Sequence, residues 1–331
     1  DGVVLDTQGG SSAELQQAAD TVRKGVVMYS EGMPVIKDMP GIVAARVHNA
    51  LFLSPELNLN KLIKPDFAIF RVADVGEDIL HREISVAFFN GYGTELNMYR
   101  PGGRGDEYEA DLQYLARTTF ILRRNSDAFL DNNWTPLINC EADRVYVNKW
   151  DAGGKTIFTV LNMDNLGYEG PLFNAGNTEG RHLVSLWRHE EIQPAVVNGQ
   201  QMATVSTAGW NQAYNGTRRE SSVDCIALLP SVIQAEMKGN KLHISAGKEG
   251  IVSVFKGIPG YGNKPVVLKS PLDTLLATGS LLDVSGGKIV IELTHDGLLM
   301  DERVILIRGG QPWLYSETIR TAPATDIPSG M

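Results

Sequence analysis

Cysteine is scarce in this chain, with only 2 among 331 residues. Cys140 and Cys225 stand far apart and outside any CxxC or Cys/His spacing, which excludes a disulfide-dense scaffold and a cysteine-rich zinc module. Two buried thiols are therefore expected, with a single bridge as the alternative. Long hydrophobic runs are also missing: even the apolar stretch from Gly41 to Leu53 is interrupted by Arg46 and His48, so no segment suits a membrane-spanning helix and no membrane partner is expected. No cluster of Lys and Arg occurs. With 39 acidic against 30 basic residues and a net charge of −9, the chain has no electrostatic footprint for nucleic acid, and a neutral or cationic partner fits better. Nothing repeats at a fixed period and no tract is of low complexity, which excludes solenoids. The Gly-x-Ser-x-Gly and HExxH signatures are absent, removing the commonest serine-hydrolase and zinc-protease readings. Neither an initiator Met nor a signal peptide opens the chain, and Gly2-Val3-Val4-Leu5 already reads as a core strand. The sequence is therefore expected to start inside a larger polypeptide.

What is present is an ordinary globular balance, 43% hydrophobic and 21% charged, over a length that suits two or three domains at about 150 residues each. The first part alternates strand and helix. Val3 to Leu5 reads as a strand, and Ser11 with Glu14 forms a capping box. Leu15, Ala18, Ala19 and Val22 then recur at helical spacing until Gly25. Val26 to Ser30 is a second strand. The stretch from Met33 to Leu62, carrying prolines 34, 40 and 55, reads as a long connection over one mouth of a sheet. Phe67 to Phe70 is a strand, Ile79 to Phe89 a helix, Thr94 to Tyr99 a strand and Glu107 to Arg124 a long amphipathic helix. After Trp134 the period becomes two. Val145, Val147 and Trp150, the Gly153-Gly154 turn and Ile157 to Leu161 predict a hairpin. Short strands follow at Leu183 to Trp187, Val223 to Leu229, Lys241 to Ser245, Ile251 to Phe255, Lys288 to Leu293 and Val304 to Ile307. The expected fold class is α/β plus all-β: a partial (β/α)8 (TIM-type) barrel over 1–132, a β-sandwich over 133–230, a second, Ig-like sandwich over 231–320, and a tail over 321–331.

Two carboxylates carry the chemical reading. Asp6 ends the first strand and Glu31 the second, and in a parallel barrel the active site lies at the C-terminal strand ends. Val4 and Asp6 share one face of their strand, as do Val27, Tyr29 and Glu31 of theirs, so both acids can point inward. Carboxyl groups about 5 Å apart suit retaining glycoside hydrolysis, and neighbouring strands about 4.8 Å apart set that separation. The plainer alternative is that each acid caps a following helix; Ser11 already fills that role after Asp6, and Gly-Met-Pro, not a helix, follows Glu31.

On these stretches, Leu5-Asp6 and Ser30-Glu31-Gly32, the first part resembles the C-terminal half of an α-amylase-like (β/α)8 glycoside hydrolase. In that family a nucleophilic Asp ends the fourth strand and an acid/base Glu ends the fifth. A long eighth helix, here Glu107 to Arg124, then leads into a β-sandwich. The resemblance implies Asp6 as nucleophile, Glu31 as general acid/base and a carbohydrate substrate. No cofactor and no metal are expected. The family carries an Arg two residues before the nucleophile, where this chain has Val4. It has a His-Asp pair after its seventh strand, where this chain has Arg71-Val72-Ala73-Asp74. These departures mark a remote relative and leave no third carboxylate assigned.

Further substrate-binding candidates follow from barrel geometry. Glu95, Asn97 and Tyr99 alternate with apolar residues, so Asn97 and Tyr99 either line the mouth or form a satisfied polar layer. Arg71 and Asp74 either meet substrate hydroxyls or pair with each other. His48 and Asn49 either reach substrate from the long connection or serve structure. Tyr29 either stacks on sugar or packs above the barrel core. A half-open barrel also needs an N-terminal segment or partner chain to cover its edges. A secreted or periplasmic location fits such a protein. Two competing readings remain: a non-catalytic carbohydrate-binding or structural module, and phosphate binding by the Gly-rich turn Thr7 to Ser12, which lacks GxGxxG and GK[ST] spacing.

Overall fold

The computed structural model describes residues 2–5, 13–32, 34–48, 57, 59–74, 80–97, 105–164, 166–209, 223–239, 241–260, 262–277, 287–308 and 311–314. The chain divides into two compact units: Asp1–Phe173 with Val205–Ile226, and Asn174–Thr204 with Ala227–Met331.

The first unit begins with strand β1 (Gly2–Leu5), helix α1 (Ala13–Val22), β2 (Val27–Glu31), β3 (Ala44–His48), β4 (Ala68–Asp74), helix α2 (Leu80–Phe89), β5 (Gly93–Asn97) and helix α3 (Gly105–Arg124). The five strands are parallel and lie in the order β1-β2-β3-β4-β5. Among the described residues this is an open sheet with β1 and β5 at its edges, not a closed (β/α)8 barrel. Alternation along each strand assigns its faces. Met28 of β2, Ala45 and Val47 of β3 and Ile69 of β4 join Phe67, Ala87 and Tyr92 in one buried cluster, against which Ala19 of α1 packs. That is the helix-covered face.

β3 departs most from the sequence reading. Residues 33–62 are not a single connection: a 3-10 turn over Ile36–Gly41 leads into β3, which inserts between β2 and β4. Ala44 and Ala45 give weak strand signals, and the neighbouring prolines mask the alternation of Ala45 and Val47 with Arg46 and His48. Burial of Ala45 and Val47 at 0% exposure supplies what local propensity lacks. β4 is also longer than expected, running to Asp74.

The rest of this unit holds a short helix α4 (Ser126–Phe129) and antiparallel strands β6 (Trp134–Thr135), β7 (Val145–Ala152) and β8 (Lys155–Asn162), then β9 (Tyr168–Asn174). Gly153 and Gly154, at φ 58° and 93°, make the two-residue turn expected of β7 and β8. Every residue of β8 is buried. The meander is anchored to α2 through one carbonyl: Asn148 Nδ2 and Thr159 Oγ1 donate to Phe89 O at 3.0 and 2.8 Å, meeting a helix-end acceptor that has no partner within the helix. Thr159 Oγ1 also accepts from Trp150 Nε1 at 3.1 Å. Trp150 stacks on Trp134 and meets Phe129 edge-on, with ring centroids 5.4 and 5.2 Å away. Cys140 and Cys225 are free thiols; Cys225 is buried, as expected, whereas Cys140 is half-buried.

In the second unit β10 (Arg181–Ser185) pairs with β11 (Glu190–Ile192), and β12 (Ala195–Val197) with the start of β13 (Gln200–Thr207). β14 (Val223–Pro230) leads into an antiparallel sheet of β15 (Ile233–Lys238), β16 (Lys241–Lys256), β17 (Val266–Ala277), β18 (Lys288–His295), β19 (Leu298–Arg308) and β20 (Gln311–Leu314). Its order is β15-β16-β18-β19-β20, with β17 also paired to β16. The two strands expected at 241–245 and 251–255 are one: β16 runs through both, and its register on β17 shifts between Ala246 and Gly250. The polar Gly-Lys-Glu-Gly stretch reads locally as a turn, yet cross-strand hydrogen bonds carry the chain past it as a bulge. Ile244, Val252, Ile289, Ile291, Leu293 and Ile305 fill one face of this sheet.

Candidate active site

The other face of the parallel sheet is open. Val27 and Phe70 keep 44% and 41% of their surface exposed, and Tyr29 meets Phe70 edge-on at 6.3 Å. Because all five strands run the same way, their C-terminal ends gather along one edge, where β2 ends in Glu31. The cross-strand register places Glu31 beside Arg46. Gly32 N donates to Arg46 O at 2.7 Å, which carries the ladder one step past Glu31 and holds that strand end.

Arg46 organises the face. Its Nη1 donates to Glu31 Oε1 at 3.0 Å, while Nε and Nη2 donate to the two oxygens of Glu95 at 3.0 and 2.9 Å. One guanidinium thus spans from β2 to β5 by a single contact on one side and a bidentate fork on the other, the geometry that its fixed donors favour. Hydrogen bonding to Glu95 raises the Arg46 pKa further above its ordinary value, against a smaller opposing effect of burial. Both carboxyl groups accept from a permanent cation. Such a surface suits a neutral polyhydroxy ligand, whose hydroxyls can donate to carboxylates and accept from guanidinium.

Among the residues singled out from sequence, Glu31 and Tyr29 lie on this face. His48, Asp74 and Asn97 occupy register positions of the same face: His48 opposite Val72, and Asp74 opposite Asn97. His48 belongs to a strand end, not to the long connection from which it was expected to reach. Asp6, Asn49 and Tyr99 lie outside the described residues, as does the Thr7 to Ser12 turn. Arg71 is a correction. It points to the helix-covered face, where it forms a buried ion pair with Glu83 of α2 and donates to Val72 O. Val47 and Thr94 flank it in register, so parity separates it from Glu31. Arg46 was not anticipated. Its signal was the alternation in Ala44-Ala45-Arg46-Val47-His48, hidden by reading the segment as a loop.

No protein-family model matches the sequence, and no curated protein matches it. Among solved structures, the chain is similar to the α-amylase of Geobacillus thermoleovorans complexed with acarbose at 12% identity, over 70% of this chain and 60% of that one, with a TM-score of 0.47. AmyP in complex with maltose is similar at 11% identity, over 69% and 64%, also with a TM-score of 0.47. A GH30 endoxylanase from Clostridium papyrosolvens is similar at 9% identity, over 70% and 65%, with a TM-score of 0.38. The chain spans about three fifths of the length of these structures.

Proposed function

We propose that this chain is the C-terminal part of a (β/α)8-barrel glycoside hydrolase followed by β-sandwich modules, within a secreted or periplasmic multidomain protein. It cleaves an oligo- or polysaccharide with retention of configuration, and an N-terminal segment or partner chain completes the barrel. The observation that carries this reading is the position of Glu31, at the C-terminal edge of a parallel sheet on its open face. His48, Asp74 and Asn97 hold register positions of that face. The alternation of β1, in which Gly2 and Val4 oppose Val27 and Tyr29, supports assigning Asp6 to the same face as nucleophile. Glu31 then protonates the leaving oxygen and afterwards activates water.

A second reading, a non-catalytic carbohydrate-binding module, is favoured by one contact. Glu31 accepts from Arg46 at 3.0 Å, which suits a fixed carboxylate better than an acid carrying a proton. Hydrolysis by the intact parent protein, in which the barrel is complete, separates the two. Under the hydrolase reading, Asp6→Asn abolishes turnover of all aryl glycosides. Glu31→Gln loses turnover of substrates with poor leaving groups but retains the first step on dinitrophenyl glycosides, whose leaving group needs no proton. Glycan binding without turnover, unchanged in both variants, selects the binding module.

A further inference from the structure

The second unit buries a set of potential metal ligands that the proposed hydrolase chemistry does not use. Glu292 of β18 and Glu302 of β19 are direct cross-strand partners, and both are 1% exposed or less. Ser253 of β16 opposes Glu292 on the other side, so the three form one row across the sheet. The next row on that face is apolar, with Phe255, Val290 and Val304 buried together. Two carboxylates facing each other in such surroundings repel, and each loses hydration. A counter-charge at the pair offsets both costs.

The third member arrives from a turn. His189, between β10 and β11, is 3% exposed and its backbone lies in the left-handed region at φ 49°. Its Nδ1 stands 3.0 and 3.1 Å from the two oxygens of Glu302. Lys288 Nζ braces the same turn, donating to Arg188 O at 2.6 Å and His189 O at 3.2 Å, and to Glu190 Oε1 at 2.9 Å. Ligand atoms from His189, Glu292 and Glu302 all lie within 4.8 Å of one another. Two ligands on one ion at bond lengths of about 2.0–2.1 Å are separated by about 2.9–3.4 Å; the His189 to Glu302 pair, held here by hydrogen bonding, already stands at that spacing.

We propose that His189, Glu292 and Glu302 form a structural site for a divalent transition ion of the zinc type. One neutral imidazole and two carboxylates balance a dication, and a mixed nitrogen and oxygen set selects zinc over calcium, which takes six to eight oxygens. Glu302, with both oxygens near His189 Nδ1, supplies two donors and brings the set to four; the site is closed to solvent, so the ion ties the β10–β11 turn to β18 and β19 and does not activate water.

The test uses the full chain, stripped with EDTA and titrated with zinc by calorimetry, with thermal unfolding followed in parallel. One equivalent binds, and an unfolding transition rises by about 5–10 °C at a hundredfold excess over Kd. Glu292→Gln and His189→Asn, the latter chosen because Asn tolerates the left-handed backbone, weaken binding at least about 100-fold. The cobalt(II) form of the unaltered chain needs no variant: its visible absorption is that of a four- or five-coordinate ion with a nitrogen ligand. Absence of zinc uptake, uptake unchanged in both variants, stabilisation by calcium instead of zinc, or a cobalt spectrum like that of the hydrated ion each overturns the site.

Discussion

Lys61 offers a sharp test of how the first unit is held together. It lies in the 3-10 turn Leu59–Leu62 and is only 4% exposed. Its Nζ donates to Pro65 O at 3.1 Å and Phe129 O at 2.9 Å, and sits 5.3 Å from the centre of the Trp150 ring. Burial lowers its pKa from 10.5 to about 8, with Asp66 pulling weakly the other way. Between about pH 8 and 10.5 the unfolded chain holds a proton on Lys61 that the folded chain has shed. Unfolding therefore takes up a proton, and stability rises with pH across that window; below pH 8 both states are charged and the cost is constant. The gap from 10.5 to about 8 corresponds to about 3 kcal/mol. Equilibrium urea unfolding of the wild type and of Lys61→Met, followed by tryptophan fluorescence, isolates this contribution, because every other titration is common to both chains. The wild type should gain up to about 3 kcal/mol on the variant between pH 7.5 and 10.5. A difference that stays flat, or falls as pH rises, would refute the account of Lys61 as a buried cation held by two carbonyls and a ring.

Two further substitutions probe the same anchor. Thr159→Val removes the hydroxyl shared by Phe89 O and Trp150 Nε1 and should lower stability by about 1–3 kcal/mol, measured as a shift in urea midpoint at constant slope; an unchanged midpoint contradicts the anchor. Gly91 sits at φ 71°, and a Cβ there would meet Phe129 Cδ1 at 3.2 Å and Trp150 Cη2 at 3.4 Å. Gly91→Ala should therefore cost about 1–3 kcal/mol in thermal or chemical unfolding, and a stabilised variant would show that the aromatic pair yields freely.

The parts legible from sequence share one property: their signal is local and periodic. Leu15, Ala18, Ala19 and Val22 mark α1 by spacing alone, and Gly153-Gly154 marks its hairpin because few residues adopt a left-handed backbone. β3 lacked such a signal. Its two alanines pack well between β2 and β4 but have little strand preference, and prolines on either side suggested a loop. The same error moved His48 into a connection and concealed Arg46, the cation that touches Glu31. Arg71 shows the converse. Its alternation with Phe70 and Val72 was readable, but its pairing with Glu83 depends on how α2 lies against β4.

By itself the sequence determined that strands and helices alternate before Trp134, that strands prevail after it, and that Tyr29 and Glu31 share a face, because these properties follow from periods of 3.6 and 2 along one segment. Only the tertiary structure decided that Arg46 joins Glu31 to Glu95 and that His189 meets Glu292 and Glu302. Arg46 lies 15 residues from Glu31 and 49 from Glu95, and His189 lies 113 from Glu302. Their meeting is set by strand order and register, which depend on what the whole sheet can bury and not on any one stretch of chain.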